Sequence, residues 1–109
     1  MNNDINNKVK KLIVELKGPL QEIQLFQNQR LEILKSRIKY VILNKVTEKR
    51  EVEKIFDELL DIVYWDTEIT KPYFYQLISY YKNIDNELTK DYEKYYIDIV
   101  EGGGNNEEN

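Results

Sequence analysis

Apolar residues recur at three- and four-residue spacing from Ile5 to Ile99, and no segment carries a strand signal. A chain with that spacing buries its apolar surface as packed amphipathic helices. The fold class therefore follows before any motif is sought. Alanine, the best helix former, is absent, so free helices should be weak and packed faces must hold them.

At 100° per residue, Ile5, Val9, Leu12, Ile13 and Leu16 share one arc and predict a helix from Asp4 to Lys17. Gly18-Pro19 is expected to end it, glycine suiting the residue after a helix and proline the first turn of the next. A second helix is then expected from Pro19 to Lys45. Thr47 is expected to cap a third, with Glu48 and Glu51 near the positive end of its dipole. Its stripe is Val52, Ile55, Phe56, Leu59, Ile62 and Val63. Thr70-Lys71-Pro72 predicts another start, with threonine as cap. The helix that follows carries Phe74, Leu77, Ile78, Tyr81, Ile84, Leu88, Tyr92, Tyr95 and Ile99 on one face. Its phase survives Asn83-Ile84-Asp85-Asn86, which predicts a single helix of about 30 residues.

Short connections favour antiparallel neighbours. The expectation is an all-α antiparallel bundle of about four helices, the first short, the second and fourth long, forming one domain over residues 1–101. Residues 102–109 contain no apolar side chain and are expected to form a disordered tail.

The second helix is apolar on two sides. Leu20, Ile23, Leu31, Leu34, Ile38, Val41 and Ile42 make one seam. Phe26, Ile33 and Tyr40 make another at intervals of seven, roughly 120° away. Either this helix sits centrally with neighbours on both sides, or the second seam lies on the surface as a dimer or partner site.

Cysteine and histidine are both absent, which removes disulfides, thiol nucleophiles, imidazole bases and Cys/His metal sites. The two serines, Ser36 and Ser79, lie within predicted helices without a histidine to activate them. The only glycine cluster is at 102–104, with no strand before it and no helix expected after it, so no phosphate loop is present. Asp57, Glu58 and Asp61 fall off the apolar stripe of their helix and read as a solvated face. No catalytic, cofactor-binding or metal-binding residue is expected, and the chain reads as a non-enzyme. Asp85 projects from the middle of an apolar arc, where a carboxylate needs a cationic partner; Arg30 and Arg37 are the candidates for a buried ion pair.

The 16 basic and 20 acidic residues are unevenly placed. Residues 1–54 carry 12 basic and 7 acidic side chains, net +5, and residues 55–109 carry 4 and 13, net −9. Such a chain can pair its charges internally, join head-to-tail with a copy, or offer a basic face to a partner. Lys35, Arg37, Lys39, Lys45, Lys49 and Arg50 make a basic run with Tyr40 among them, the one feature that suits nucleic acid. These charges scatter around the helix, and no helix-turn-helix is apparent.

Nine tyrosines are a further peculiarity. Trp65, Tyr73 and Tyr80 are expected to form an exposed aromatic patch of the kind that anchors protein partners. No apolar run is long enough to span a membrane, and Met1-Asn2-Asn3-Asp4 lacks the basic start of a secretion signal. A cytoplasmic protein is the expectation. Thirteen isoleucines, 13 lysines and 11 asparagines are residues of AT-rich codons and point to an AT-rich bacterium or a mobile element within one.

The expected function is binding to another protein, as an inhibitor, immunity protein or regulatory adaptor. A nucleic-acid-associated regulator using residues 35–50 and a self-assembling subunit are the alternatives. In size, helix number and a tyrosine-rich last helix, the chain resembles the small immunity proteins that protect bacteriocin producers. That resemblance is one of layout and implies an inhibitory binding role.

Overall fold

The structure, a computed structural model, describes the backbone of residues 2–107 and the side chains of residues 19–102. Among the described residues there are four α-helices and no strand: α1 (Asn2–Leu43), α2 (Lys49–Val63), α3 (Thr67–Tyr81) and α4 (Asn86–Glu107). The all-α expectation stands and four helices are present, but the expected short first helix and long second and fourth are not what forms: α1 has 42 residues, α2 and α3 have 15 each, and α4 has 22. The chain divides into two compact units, Met1–Arg30 and Leu31–Asn109.

Two helix boundaries differ from those expected. Gly18-Pro19 does not end a helix, because α1 runs through both residues. Proline inside a helix forfeits one hydrogen bond and costs about 3 kcal/mol. Ending and restarting the helix leaves up to eight backbone groups without helical partners, so continuing is the smaller cost. The second difference is at Lys82–Asp85, where the single long helix expected from Thr70 is instead two, α3 and α4. Four linking residues turn the helical wheel by about 400°, close to one full turn. The apolar phase therefore carries across a chain reversal that periodicity cannot detect.

The helix ends show why the breaks fall where they do. Lys45 has φ 53°, a left-handed conformation that usually calls for glycine. Around it the Val46 N–H donates to the Val41 carbonyl (2.9 Å) and the Lys45 N–H to that of Ile42 (3.3 Å). This is the Schellman pattern, which closes α1 without a glycine in the sequence. At the start of α2 the cap position is Glu48 rather than Thr47, and no side chain caps it. Asp66, not Thr70, caps α3, its Oδ1 accepting from the Ile69 N–H. Thr70 is fully buried one turn further in, and its hydroxyl donates to the carbonyls of Asp66 and Thr67. Asp85 performs the same service for α4, accepting from the Leu88 N–H at 3.1 Å.

In the Leu31–Asn109 unit, contacts between chain-distant residues set α3 antiparallel to both α2 and α4. The Tyr80 and Tyr81 hydroxyls at the end of α3 donate to the Val46 and Thr47 carbonyls just before α2, each at 2.7 Å. Phe56 of α2 stacks on Tyr92 of α4 (4.7 Å) and meets Phe74 of α3 edge-on (5.4 Å), while Phe74 stacks on Tyr96 (4.6 Å). These four rings join α2, α3 and α4 at the centre of the core. Every residue of the expected stripe from Val52 to Val63 is buried.

The stripe assigned to the last helix is corrected at two positions: Ile84 and Tyr95 are exposed, and Tyr96 occupies the core instead. The first seam of α1 is buried at Leu31, Leu34, Ile38 and Val41 but exposed at Leu20. Of the stretch 102–109, expected to be a disordered tail, the bounds of α4 take in the residues to Glu107. Only Gly102 among them has its surroundings described, and a Cβ there would meet open space. The last two residues lie outside the described ones.

Candidate protein-binding site

Once the core is filled, several large apolar side chains remain outside it. In the Leu31–Asn109 unit, Ile33 and Tyr40 of α1 are 61% and 63% exposed. They stand seven residues apart, two turns along one helix face. Beside them a groove of about 320 Å³ opens between α1 and α2, lined by Ile33, Ser36, Arg37, Tyr40, Val41, Glu51 and Ile55. Val41 and Ile55 are buried, so the apolar surface continues from the groove into the core. Arg37 ties the two helices together, 2.8 Å from Glu58 and 3.7 Å from Glu51.

The second seam of the sequence is thus a surface feature in this unit. Phe26, its third member, belongs to the Met1–Arg30 unit and is 57% exposed there. In the same unit Arg30 donates to the Gln27 side chain and lies 5.9 Å from the centre of the Phe26 ring.

The buried ion pair expected of Asp85 with Arg37 is not what the structure builds, and Arg30, the other candidate, belongs to the Met1–Arg30 unit. Asp85 is half-buried and its carboxylate is spent on the α4 N-terminus, while Arg37 is held by Glu58 and Glu51. The wheel put Asp85 in the middle of a helix, whereas it stands at a helix start, where backbone N–H groups are the natural donors.

The aromatic patch is likewise dissolved. Trp65 is half-exposed ahead of α3, and Tyr80 lies 15 residues on, about 20 Å away at 1.5 Å per helical residue. Tyr80 is anchored to the Val46 carbonyl, and Tyr73 faces the Lys35 ammonium at 4.9 Å. The exposed neighbour of Trp65 is Tyr64.

A second concavity, of about 480 Å³, lies between α2 and α4 and was not foreseen as a unit. Its lining is Asp57, Leu60, Asp61 and Tyr64 from α2 with Tyr95, Asp98 and Ile99 from α4. The Tyr92 hydroxyl donates to Asp57 at 2.8 Å, and the Tyr95 ring sits edge-on against Tyr92 at 5.8 Å. One signal was available in the sequence. On the helical wheel Tyr95 lies about 60° from Tyr92 and about 100° from Tyr96, so a face centred between Tyr92 and Tyr96 leaves Tyr95 at its rim.

Electrostatics mark the core side rather than the grooves. Burial raises Tyr81, Tyr92 and Tyr96 above the ordinary tyrosine value, and the hydrogen bond to Asp57 adds to the effect at Tyr92. Tyr75 is pushed up to about 12 by burial, with Glu93 adding to it. On the surface Lys35 is held above its usual range by its hydrogen bond to Glu32 and by Tyr73.

Among the described residues no group of three His, Cys, Asp or Glu side chains is set to hold a metal ion, and no helix is long and apolar enough to cross a membrane. In comparisons with known proteins, the chain matches no family model, no curated protein and no solved structure.

Proposed function

We propose that the protein acts without catalysis, by binding another protein through the α1 face at Ile33 and Tyr40 and the groove beside it. One observation carries this reading: two large apolar side chains stay more than half exposed beside a groove floored by buried Val41 and Ile55. Leaving them in water forgoes roughly 25 cal/mol for each Å² of apolar surface that a partner could cover. A partner with an amphipathic helix fits this surface. Its apolar face would lie on Ile33, Tyr40 and the groove floor, and a polar edge would meet Arg37 and Glu51. The inhibitor, immunity or adaptor role expected from the sequence uses a surface of this kind.

The nucleic-acid reading has less to stand on. Two of the six charges in the basic run are already engaged, Lys35 with Glu32 and Tyr73, and Arg37 with Glu58 and Glu51.

The experiment is affinity capture from a bacterial host extract with two baits, the native chain and Ile33→Asp/Tyr40→Ala. Circular dichroism melts would confirm that both are folded. A protein held by the native bait and lost from the variant supports the reading. Equal capture by both baits, or retention of nucleic acid alone, overturns it.

A further inference from the structure

We propose that the groove between α2 and α4 receives the lysine-rich N-terminal segment, residues 5–17, of a second copy of the chain. This goes beyond the partner surface on α1 and uses a different face of the molecule.

The groove selects for one kind of occupant. Three aspartates, Asp57, Asp61 and Asp98, surround an apolar and aromatic bed of Leu60, Tyr64, Tyr95 and Ile99, and no basic side chain lines it. Tyr64 and Tyr95 are 73% and 51% exposed. A lysine can lay its aliphatic stem on such rings while its ammonium reaches a carboxylate. The matching ligand is therefore a helical segment with aliphatic residues at three- and four-residue spacing and lysines between them.

The chain itself contains that chemistry. Val9, Leu12, Ile13 and Leu16 recur at helical spacing, and Lys8, Lys10, Lys11 and Lys17 stand among them. Residues 5–17 hold four lysines and one acid, Glu15, for a net +3, whereas residues 55–109 carry −9. Opposite charge at two ends of one sequence favours pairing between copies. When each copy lends its segment to the other's groove, the exchange closes a two-fold dimer and leaves no open end for further growth.

The test is sedimentation equilibrium of the full chain at about 50 and 500 mM salt, a range over which exposed charge pairs become screened. The native chain should form a dimer of twice the 13.2 kDa mass that weakens as salt rises. Two double variants then decide the site. Asp61→Lys/Asp98→Lys sets lysine against lysine, and Lys10→Glu/Lys17→Glu sets acid against acid. Each alone should dimerise about tenfold or more weakly, since like charges now face each other.

Mixed together, the two variants should recover a heterodimer near native strength, because each segment again meets a groove of opposite sign. That recovery also shows that both variants fold. A native chain that stays monomeric at every concentration overturns the proposal, as does a mixture that fails to pair. A dimer insensitive to both variants overturns it too, and moves the contact to the Ile33 and Tyr40 face.

Discussion

Between Pro19 and Arg30, α1 leaves Leu20, Leu25 and Phe26 more than half exposed; between Leu31 and Leu43 it buries Leu31, Leu34, Ile38 and Val41. Both stretches carry apolar residues at helical spacing, and both lie within one helix. The difference teaches that amphipathicity is an offer of surface, which becomes stability only where another element takes it up. In the second stretch α2 takes it up, with Arg37 bridging to Glu58. Within the first stretch the one buried side chain is polar, Gln27.

The sharpest way to break this comparison is to make the same substitution in each stretch. Leu34→Ala should cost about 2–5 kcal/mol of unfolding free energy, the usual range for emptying a buried leucine site. Leu25→Ala, at a side chain 58% exposed, should change it by no more than about 0.5 kcal/mol. Urea unfolding of both variants measures the contrast, and equal losses would abolish the distinction between the stretches.

Alkali should separate the two units next. All nine tyrosines lie in Leu31–Asn109 and none in residues 1–30. A tyrosine whose value is raised holds its proton more tightly folded than unfolded. Its contribution is intact below the unfolded value of 10 and is lost as pH climbs through the folded value. Melting temperature should therefore fall between pH 10 and about 12, where Tyr75 titrates. Lys35, also raised, acts in the same direction. Near-ultraviolet absorbance at 295 nm should report tyrosine ionisation over the same interval. A melt unchanged across it would show that these rings are not held by the fold.

A smaller effect is expected where the buried stretch of α1 ends. Lys45 occupies a left-handed conformation that costs a side-chain-bearing residue roughly 1 kcal/mol. Lys45→Gly should relieve most of that strain and raise stability by a little under 1 kcal/mol, because glycine loses more freedom on folding. A fall in stability would mean that the lysine stem contributes packing that outweighs the strain.

Legibility in the sequence tracks how local each decision is. The stripe from Val52 to Val63 could be read directly, because a face repeating every three or four residues needs only the helix itself to explain it. Helix ends were harder. Asp66 is a good cap by type, yet Thr70 offered an equally plausible reading, and only the path of the backbone chooses between them. At Lys45 the sequence lacks the glycine that would have announced the stop.

The second seam at Ile33 and Tyr40 was visible as a pattern, but its exposure depends on where α2 lies. The aromatic patch failed because Trp65 and Tyr80 were joined by shared character rather than by position. The acidic groove was missed for the converse reason, since its two walls, on α2 and α4, are more than 30 residues apart in the chain.

What the sequence by itself determined was the helical class, the buried face of α2, and the lack of cysteine and histidine. All three are properties of residue type and local spacing. The tertiary structure alone decided that α1 continues through Pro19, that the chain reverses at Lys82–Asp85, and which tyrosines face the core. It also decided that Asp57 and Asp98 share a groove. Those outcomes depend on which helices lie against each other, and periodicity along one helix carries no information about its neighbours.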